Sequence, residues 1–447
     1  MSDTKKEKYT PEWFKRGSIY QINPRTFSPE GTINAVTAEL PFLAELGFKT
    51  MYLCPVFEED DSTDKAFWST RQKASQTENP KNPYRMNDYF EIDSEYGTMA
   101  DLRRFVAESH RLGMKVMLDL VYWHIGPNAD VLNIHPEFAK RDENGEIMRT
   151  PYNFPVLNFD NEGLREYLWS NMTYYVGAID VDGFRCDVGD MVPIDFWLEG
   201  RRRIRAIKPD AVLLNEGSNW KYLEEGFDAS YSFKLHGAIY NAVKHGKPVQ
   251  EIRKCHEEIY NAAPKDAIMM RDIDNHDTVT DWPERTELAA GHDGMELIEV
   301  FNYIIDGIPM VYCGNELGDS ALLSMFANRF HMGRFEVTDR SIKNKDFSLR
   351  RQAIIKKLNS IKAESDILCN GSTVWLDNSC EDRVVSFARE CADGKIVFVG
   401  NITPEECTVE IDIANLAGEI LVESKNAPKI DGNSLNMPKF SYVVVKI

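Results

Sequence analysis

The residues Val181–Asp187 read VDGFRCD, and the next apolar run along the chain, Ala211–Glu216, reads AVLLNE. Between the two lies an amphipathic helical pattern at Asp195–Ile207. A short apolar run, a helix and a second apolar run in this order are typical of a parallel βα unit. Each of the two runs also ends on a carboxyl side chain, so a group that can transfer protons or act as a nucleophile lies at the end of each predicted strand.

The same alternation continues in both directions from this unit. Helical patterns such as Ala35–Leu46 and Met99–Leu112 separate the runs, and each of these two is followed by a glycine suited to a helix C-terminus. Eight strand–helix repeats predict an α/β fold, a closed (β/α)8 TIM barrel. The other six predicted strands are Ser18–Ile22, Thr50–Pro55, Met114–Leu120, Ala229–Lys234, Ala267–Arg271 and Ile308–Cys313.

The pattern changes near residue 368. We expect residues 1–367 to form the catalytic barrel, with one small irregular insertion after the third strand at about residues 125–158. From residue 368 to residue 447 short alternating strands follow one another without a long helix, and this predicts a C-terminal antiparallel β-sandwich. Its predicted strands are Arg383–Ala388, Lys395–Val399, Thr408–Ile413, Glu419–Glu423 and Tyr442–Ile447.

Composition narrows the class of partner. The chain has 52 basic and 71 acidic residues, a net charge of −19, and this excess disfavours nucleic acid and anionic membranes while a neutral sugar is not disfavoured. The eight cysteines show no CxxC pair, and the N-terminal residues have no apolar signal region. We therefore expect free thiols, a cytoplasmic location and a chain that can work as a monomer.

Polar side chains gather where four of the predicted strands end. Because the active sites of TIM barrels lie at the C-terminal ends of the strands, these side chains should meet on one face. Arg185 and Asp187 stand two positions apart on a strand, so their side chains point the same way. The four groups are Asp119 with His124, Arg185 with Asp187, Glu216, and His276 with Asp277.

Three carboxyl groups and an arginine around one cavity suit glycoside cleavage. Its oxocarbenium-like transition state needs a carboxylate on one face and a proton donor at the leaving oxygen. We expect Arg185 to keep Asp187 ionised as a nucleophile, and the neighbouring carboxylates to raise the pKa of Glu216 so that it holds its proton as general acid. Asp277 would accept hydrogen bonds from sugar hydroxyls and oppose developing positive charge.

With these motifs the chain resembles the α-amylase family of glycoside hydrolases (glycoside hydrolase family 13). The resemblance extends over nearly the whole sequence and rests on these segments in the family's order: YQINPRTF (Tyr20–Phe27), LAELGFKTMYLCPVF (Leu43–Phe57), NPYRMNDYFEIDSEYGTMADL (Asn82–Leu102), DLVYWH, DGFRCD, LLNEGS, DNHD and GIPMVYCGNELG.

The resemblance implies a role for each site residue. Asp187 would be the nucleophile, Glu216 the acid/base and Asp277 the transition-state stabiliser. The family retains anomeric configuration, so the carboxyl groups of Asp187 and Glu216 should lie about 5–5.5 Å apart. The sugar subsite would be lined by Arg185, His124 and His276, with Tyr84 stacking beneath the ring and Asp119 as a structural partner of Arg185.

Two positions depart from the family pattern. Many members have an asparagine before the histidine of the third-strand motif, where it helps to bind a structural calcium, and here the residue is Trp123. We therefore expect neither this calcium site nor any other cofactor. The residues after Asp187 read VGDM, without the basic residue of many endo-acting amylases.

The acidic run Glu58–Asp61 with Asp64 is interpreted as a solvated loop.

Tryptophans follow several strands on the catalytic side. Because sugar C–H faces stack well on indole rings, we hypothesise that at least one of them forms a glucose subsite, with Trp123 and Trp220 as the assigned candidates. The full set is Trp68, Trp123, Trp220 and Trp282.

The sequence predicts a hydrolase of α-1,4-linked glucose oligomers and polymers, and two alternatives stay open. An α-glucan transglycosylase or a sucrose- or trehalose-acting enzyme would use the same residues, because acceptor choice depends on loop shape. A non-catalytic glucan-binding protein on the same fold predicts the loss of a catalytic carboxyl, and all three carboxyls are present.

Overall fold

Eight parallel strands close into a barrel in the computed structural model, which describes residues 9–281, 284–330, 336–431 and 434–447. The barrel order is β1-β10-β9-β8-β7-β6-β5-β2. Each of the eight predicted strands is present within a few residues of its expected position, so the predicted fold class is confirmed. The strands up to residue 312 are β1 (Ile19–Ile22), β2 (Thr50–Leu53), β3 (Phe57–Glu59), β4 (Met86–Ile92), β5 (Lys115–Leu120), β6 (Gly183–Cys186), β7 (Val212–Asn215), β8 (Ala229–Tyr231), β9 (Met269–Arg271) and β10 (Ile308–Tyr312).

Helices surround the barrel, and short 3-10 helices interrupt the connecting loops. Among the described residues, the two longest helices span 286–304 and 346–364, with 19 residues each. The first of them is kinked at Gly291, whose φ of 70° and ψ of 175° are not helical. The α-helices are α1 (Glu12–Lys15), α2 (Pro24–Phe27), α3 (Ile33–Glu45), α4 (Thr70–Ala74), α5 (Met99–Arg111), α6 (Asp130–Ile134), α7 (Glu162–Ala178), α8 (Ile194–Ile207), α9 (Trp220–Glu225), α10 (Phe233–His245), α11 (Gln250–Ala262), α12 (Thr278–Asp281), α13 (Thr286–Ile304), α14 (Asp346–Glu364) and α15 (Asp366–Asn370).

The register of the barrel strands places the polar side chains at one level. Asp119 of β5 pairs directly with Arg185 of β6, so the acid and the base lie side by side inside the barrel. Gly183 begins β6 where a Cβ atom would stand 2.4 Å from the carbonyl oxygen of Val212. A side chain at position 183 would push β6 away from β7, and the level of Arg185 therefore depends on this glycine.

Two excursions, rather than the single predicted one, cover the C-terminal end of the barrel. The predicted insertion at residues 125–158 is present as α6 and a set of isolated bridges, among them His124 with Val156. The second excursion follows β2 and contains the antiparallel hairpin β3–β4 with α4 between its strands. The sequence pattern missed it because β3 has only three residues and one of its two glutamates, Glu59, is buried.

The C-terminal part is made of two antiparallel sheets. A five-stranded sheet has the order β11-β12-β13-β18-β15 and a three-stranded sheet the order β14-β17-β16. All five predicted strands are present, and β11, β16 and β17 were missed. The strands are β11 (Ser372–Trp375), β12 (Val384–Cys391), β13 (Gly394–Asn401), β14 (Cys407–Glu410), β15 (Glu419–Glu423), β16 (Lys429–Asp431), β17 (Ser434–Met437) and β18 (Tyr442–Lys446).

The central strands of the five-stranded sheet, β12, β13 and β18, are buried on both faces over most of their length. On one face Val397 and Val445 pack against the three-stranded sheet. On the other face Phe387 and Phe398 belong to the core of the barrel and meet Phe301 of α13, with ring centroids 5.7 and 5.8 Å apart. The sandwich is therefore joined to the barrel by an aromatic cluster. The predicted boundary at residue 368 falls inside α15 and stays a prediction.

Within the described ranges, no helix is both long enough and apolar enough to cross a membrane.

We expect Phe398→Ala to lower the free energy of unfolding by about 3–5 kcal/mol, because it opens a cavity between the sheet and α13. Chemical denaturation measures this change. Ile420→Ala is the matched control, since Ile420 lies on the same sheet but is 53% exposed, and we expect a change within about 0.5 kcal/mol. Equal effects of the two substitutions would contradict the described packing.

Candidate active site

A cavity of about 380 Å³ opens at the C-terminal end of the barrel. Its wall is formed by the loops that follow the barrel strands and by both excursions. The predicted site residues in that wall are Tyr84, His124, Asp187, Glu216, His276 and Asp277, and the others are Ser69, Arg71, Asn82, Tyr152, Phe154, Val188, Asp190, Met191, Gly217, Ser218, Phe233, Met325 and Phe326.

Arg185 lies beneath this cavity and is fully buried. Its Nη1 donates to Asp119 Oδ1 at 2.8 Å and to Asp187 Oδ1 at 2.8 Å, and its Nη2 lies 2.8 Å from Glu216 Oε2. One guanidinium group thus contacts the three carboxyl groups that the strand-end pattern singled out on β5, β6 and after β7. The fork geometry of arginine fixes these groups relative to one another.

The second oxygen of Asp187 differs from the first. Asp187 Oδ2 is buried and has no hydrogen-bond partner among the residues that the structure describes. Asp187 itself is only 4% exposed, yet its side chain belongs to the cavity wall. Burying a carboxylate oxygen without a hydrogen-bond partner costs free energy unless a ligand or water contacts it. Oδ2 is therefore the Asp187 atom most available to a bound ligand.

Glu216 is held by a strained backbone position. The N–H of Val188 donates to Glu216 Oε2 at 2.8 Å. Val188 has a φ of +41°, a left-handed conformation that is unfavourable for a β-branched residue. The strain at Val188 turns its N–H toward the carboxyl group at the end of the neighbouring strand, and it therefore ties the Asp187 loop to Glu216.

Burial raises the pKa of both Asp187 and Glu216. For Asp187 burial is the largest cause and outweighs the opposing charge of Arg185, and the charge of Glu216 adds to the rise. For Glu216 burial also comes first, opposed by Arg185 and by the Val188 N–H. The expectation that Arg185 would keep Asp187 ionised was therefore too simple, because one arginine is shared among three buried carboxyl groups.

Asp277 is in a different electrostatic environment. Burial acts to raise its pKa, but His276 and Arg71 reverse the direction and lower the pKa below its usual range. Arg71 of α4 donates through Nη2 to Asp277 Oδ1 at 2.8 Å. Asp277 is therefore the carboxylate of the three that stays ionised most readily. Arg71 was not predicted as a site residue, since a lone arginine outside the barrel strands carries no sequence signal.

A chain of hydrogen bonds orients His276 and Tyr84. Gln21 of β1 accepts from the His276 backbone N–H at 3.2 Å and donates through Nε2 to His276 Nδ1 at 2.9 Å. The proton of the imidazole therefore lies on Nε2, which is 2.6 Å from the Tyr84 hydroxyl oxygen. The Tyr84 hydroxyl in turn donates to Asp119 Oδ2 at 3.1 Å. Gln21 is a positioning residue that the sequence did not reveal.

His124 lies at the edge of the insertion, and its Nε2 donates to the carbonyl oxygen of Tyr84 at 2.9 Å. Burial lowers the pKa of His124 to about 4. Burial likewise lowers the pKa of His276, so both imidazoles are neutral at neutral pH. Neutral rings carry both a donor and an acceptor, as contacts to sugar hydroxyls require.

The structure does not bring Trp123 and Trp220 into the described wall of the cavity. Trp123 packs behind it, edge-on to His124 and Tyr152 with centroids 5.9 and 6.3 Å apart. Trp220 begins α9 and packs against the core. Trp68 is also absent from the described cavity wall, because its side chain is buried elsewhere. Its indole N–H donates to the Ser62 carbonyl at 2.8 Å.

Trp282 lies outside the described residues. Besides Tyr84, His124 and His276, the aromatic side chains found in the wall are Tyr152, Phe154, Phe233 and Phe326, which no sequence signal separated from ordinary loop aromatics.

The acidic run after β2 is only in part the solvated loop that we expected. Asp61 and Asp64 are exposed, whereas Glu59 and Asp60 are 3% and 2% exposed. Glu59 pairs with Arg25 at 2.8 Å, and Asp60 with Arg85 at 3.3 Å. Arginines that are remote in sequence or across the hairpin neutralise these charges, and such pairings are not visible in a charge run.

The residues at the family's calcium position do not fit that ion. Trp123 offers no oxygen ligand, whereas calcium takes oxygen ligands. No cluster of three or more His, Cys, Asp or Glu side chains suited to a metal occurs in the described ranges. Asp60 accepts instead from the Asn128 backbone N–H at 2.9 Å, and this bond ties the hairpin excursion to the insertion.

The family model for the alpha-amylase catalytic domain matches residues 8–144 and 148–354. Neopullulanase 2 of Thermoactinomyces vulgaris is 27% identical over 369 residues, which cover 69% of this chain and 57% of that protein. A cyclomaltodextrinase of Geobacillus thermopakistaniensis is 24% identical over 492 residues, which cover 98% of this chain and 78% of that protein. The chain thus spans little more than half the length of the first relative.

Among solved structures, a noncanonic maltogenic alpha-amylase from Thermotoga neapolitana superimposes with a TM-score of 0.77 at 25% identity, covering 97% of each chain.

We expect Asp187→Asn to raise the free energy of unfolding at neutral pH, because it removes a carboxyl group whose ionisation is opposed by burial. The raised pKa of Asp187 means that the folded state binds its proton more tightly than the unfolded state. Its ionisation therefore destabilises the fold as pH rises above the unfolded pKa, and the amide removes this loss. Chemical denaturation at several pH values measures the effect.

Asp119→Asn is the matched control, since Asp119 is an equally buried partner of the same arginine and accepts from Arg185 and from the Tyr52 and Tyr84 hydroxyls. We expect this substitution to lower the free energy of unfolding by about 1.5–3 kcal/mol, the value of hydrogen bonds to a charged group. Destabilisation by both substitutions would contradict the electrostatic difference between the two aspartates.

Proposed function

This chain belongs to the alpha-amylase family, and on that premise we propose that it is a retaining α-glycoside hydrolase of α-1,4-linked glucose oligomers and polymers. The observation that carries the proposal is the guanidinium of Arg185 between Asp187 and Glu216, with Asp187 Oδ2 buried and unpartnered among the described residues. Two carboxyl groups fixed at one cavity are what double displacement at an anomeric carbon requires.

In the first step Asp187 Oδ2 bonds to the anomeric carbon while Glu216 gives its proton to the leaving oxygen. The raised pKa of Glu216 supports this role, because the group retains a proton at pH values where a free glutamate has lost it. The product is a glucosyl enzyme on Asp187, and the leaving sugar departs as a neutral alcohol.

In the second step the Glu216 carboxylate takes a proton from water, and the water oxygen bonds to the anomeric carbon as the bond to Asp187 breaks. Positive charge develops on the sugar ring in both steps. Asp277, whose pKa is lowered, supplies a fixed negative charge for it. Tyr84, His124 and His276 lie in the cavity wall where they can contact the ring and its hydroxyls.

The wall suits a neutral substrate. Tyr152 and Phe154 offer ring faces, and the neutral imidazole of His124 offers its Nδ1, which has no partner among the described residues, as a hydrogen-bond acceptor. We also infer a cytoplasmic location, because all eight cysteines are free in the structure and the sequence favours reduced thiols. A structural metal is not part of the proposal.

Transglycosylation is a second candidate that one observation favours. Met191 and Phe233 line the cavity and are 52% and 48% exposed. An exposed apolar rim can hold a departing or arriving sugar against its C–H face. A sugar held there competes with water for the glucosyl enzyme.

We expect the wild-type protein to convert maltoheptaose into shorter maltooligosaccharides without added metal and in the presence of a chelator. Asp187→Asn should lower kcat by at least about 10⁴-fold, because no covalent intermediate forms. Chromatography of the products measures both. Products longer than maltoheptaose would assign the chain to the transferases, and inactivity of the wild type on maltoheptaose would refute α-1,4-glucan cleavage.

We expect a bell-shaped dependence of kcat/KM on pH. Activity should fall toward acid as Asp187 takes up a proton and toward alkali as Glu216 loses one. Because burial raises both pKa values, both limbs should lie above the pKa values of free aspartate and glutamate, about 3.9 and 4.3.

Initial rates across the pH range with 4-nitrophenyl α-glucoside measure the two limbs. Glu216→Gln is the control, since it should abolish the alkaline limb with this leaving group, which needs no protonation. An acid limb centred below the pKa of free aspartate would contradict the electrostatics of the site.

A further inference from the structure

A second cavity of about 680 Å³ lies next to the catalytic cavity, on the side of Asp277. The walls of the two cavities share Arg71 and Phe326. Its wall carries many short polar side chains, of the kind that bind sugar hydroxyls. These are Thr70, Ser75, Gln76, Thr280, Asp281 and Ser324.

Arg71 separates the two cavities by ion pairs to both sides. Its Nη2 donates to Asp277 Oδ1 at 2.8 Å, and its Nε donates to Asp281 Oδ1 at 2.9 Å. Its guanidinium carbon also lies 5.7 Å from the centroid of the Phe326 ring. Asp277 belongs to the wall of the catalytic cavity and Asp281 to that of the second, so the guanidinium spans the passage between them.

The helix that carries Arg71 is held firmly. The Ser69 side chain caps α4 by accepting from the Gln72 N–H at 3.0 Å. The buried Gln72 side chain donates to the carbonyl oxygens of Asn79 and Pro80, each at 3.1 Å. Asn79 in turn donates to the Phe326 carbonyl at 3.1 Å. The position of Arg71 is therefore built into the excursion and is not that of a free surface side chain.

The direction of a bound glucan follows from the acid/base. Glu216 must lie beside the leaving oxygen, so the leaving part of the chain extends toward the Glu216 side of the cavity. The retained sugar extends the other way, toward Asp277. A further glucose unit on its non-reducing side would have to pass through the place that Arg71 occupies.

Resting on the proposed function, we propose that Arg71 is a specificity-determining residue that closes the catalytic cavity on the non-reducing side, so that the enzyme removes single glucose units from chain ends. The second cavity then becomes a sugar subsite only when Arg71 is displaced or removed. This inference goes beyond the cleavage chemistry, because Asp187, Glu216 and Asp277 serve exo and endo attack equally.

The test compares two 4-nitrophenyl maltoheptaosides. One has a free non-reducing end, and the other is blocked at that end by a 4,6-ethylidene group. We expect the wild type to degrade the uncapped substrate with glucose as the first product and to leave the capped one intact. Arg71→Ala should cleave the capped substrate and raise the ratio of maltose and maltotriose to glucose by at least about tenfold. Chromatography of early time points measures both.

Arg149→Ala is the matched control. Arg149 is an exposed arginine of the insertion whose side chain donates to the Asn153 carbonyl at 3.0 Å, and it is absent from the described cavity wall. It should behave as the wild type on both substrates. Because Arg71 also contacts Asp277, its removal is expected to lower kcat on every substrate, and the product ratio is therefore the measure that decides.

Asp281→Asn provides a second variant that removes no residue from the catalytic cavity. It weakens the anchor of Arg71 and should give slow cleavage of the capped substrate. Cleavage of the capped substrate by the wild type, or failure of both Arg71→Ala and Asp281→Asn to gain it, would overturn the role of Arg71 and leave the hydrolase assignment intact. Inactivity of the wild type on the uncapped substrate would instead refute the proposed function.

Discussion

The site depends on one buried cation. Arg185 is fully buried and contacts Asp119, Asp187 and Glu216 through the two terminal nitrogens of its guanidinium group. Without this charge three carboxyl groups could not share one end of the barrel in an ionised or partly ionised state. The direct pairing of Asp119 with Arg185 across β5 and β6 makes the arrangement a property of the barrel register.

Other buried arginines perform a related task for the loops. Arg25 bonds Glu59 and Glu95 at 2.8 and 2.9 Å, and it donates to the Met325 carbonyl at 2.6 Å. Arg85 donates to the carbonyl oxygens of Asp60 and Pro80 at 2.9 and 2.7 Å. Guanidinium groups thus gather loop oxygens beside the site. They hold the hairpin excursion and, through it, the helix that carries Arg71.

The predictions from sequence succeeded where a local pattern reflects a global rule. Short apolar runs between amphipathic helices identified the eight barrel strands, because a parallel strand covered by helices is apolar on both faces. They failed for β3, whose Glu59 is buried only because Arg25 neutralises it. They also failed for Trp123 and Trp220, since neither the spacing nor the type of an aromatic residue in a loop reveals which way its ring turns.

By itself the sequence predicted which carboxyl groups meet at one end of the barrel, and the proposed chemistry rests on them. Asp187, Glu216 and Asp277 each follow a barrel strand, and parallel strands deliver their ends to one face whatever the loops do. Only the tertiary structure decided the shape of the cavity and the charge distribution within it. Arg71 and Asp277 are 206 positions apart, and their contact depends on how the hairpin excursion folds over the barrel. Loop contacts of this kind are set by burial and pairing between remote segments, and no local pattern encodes them.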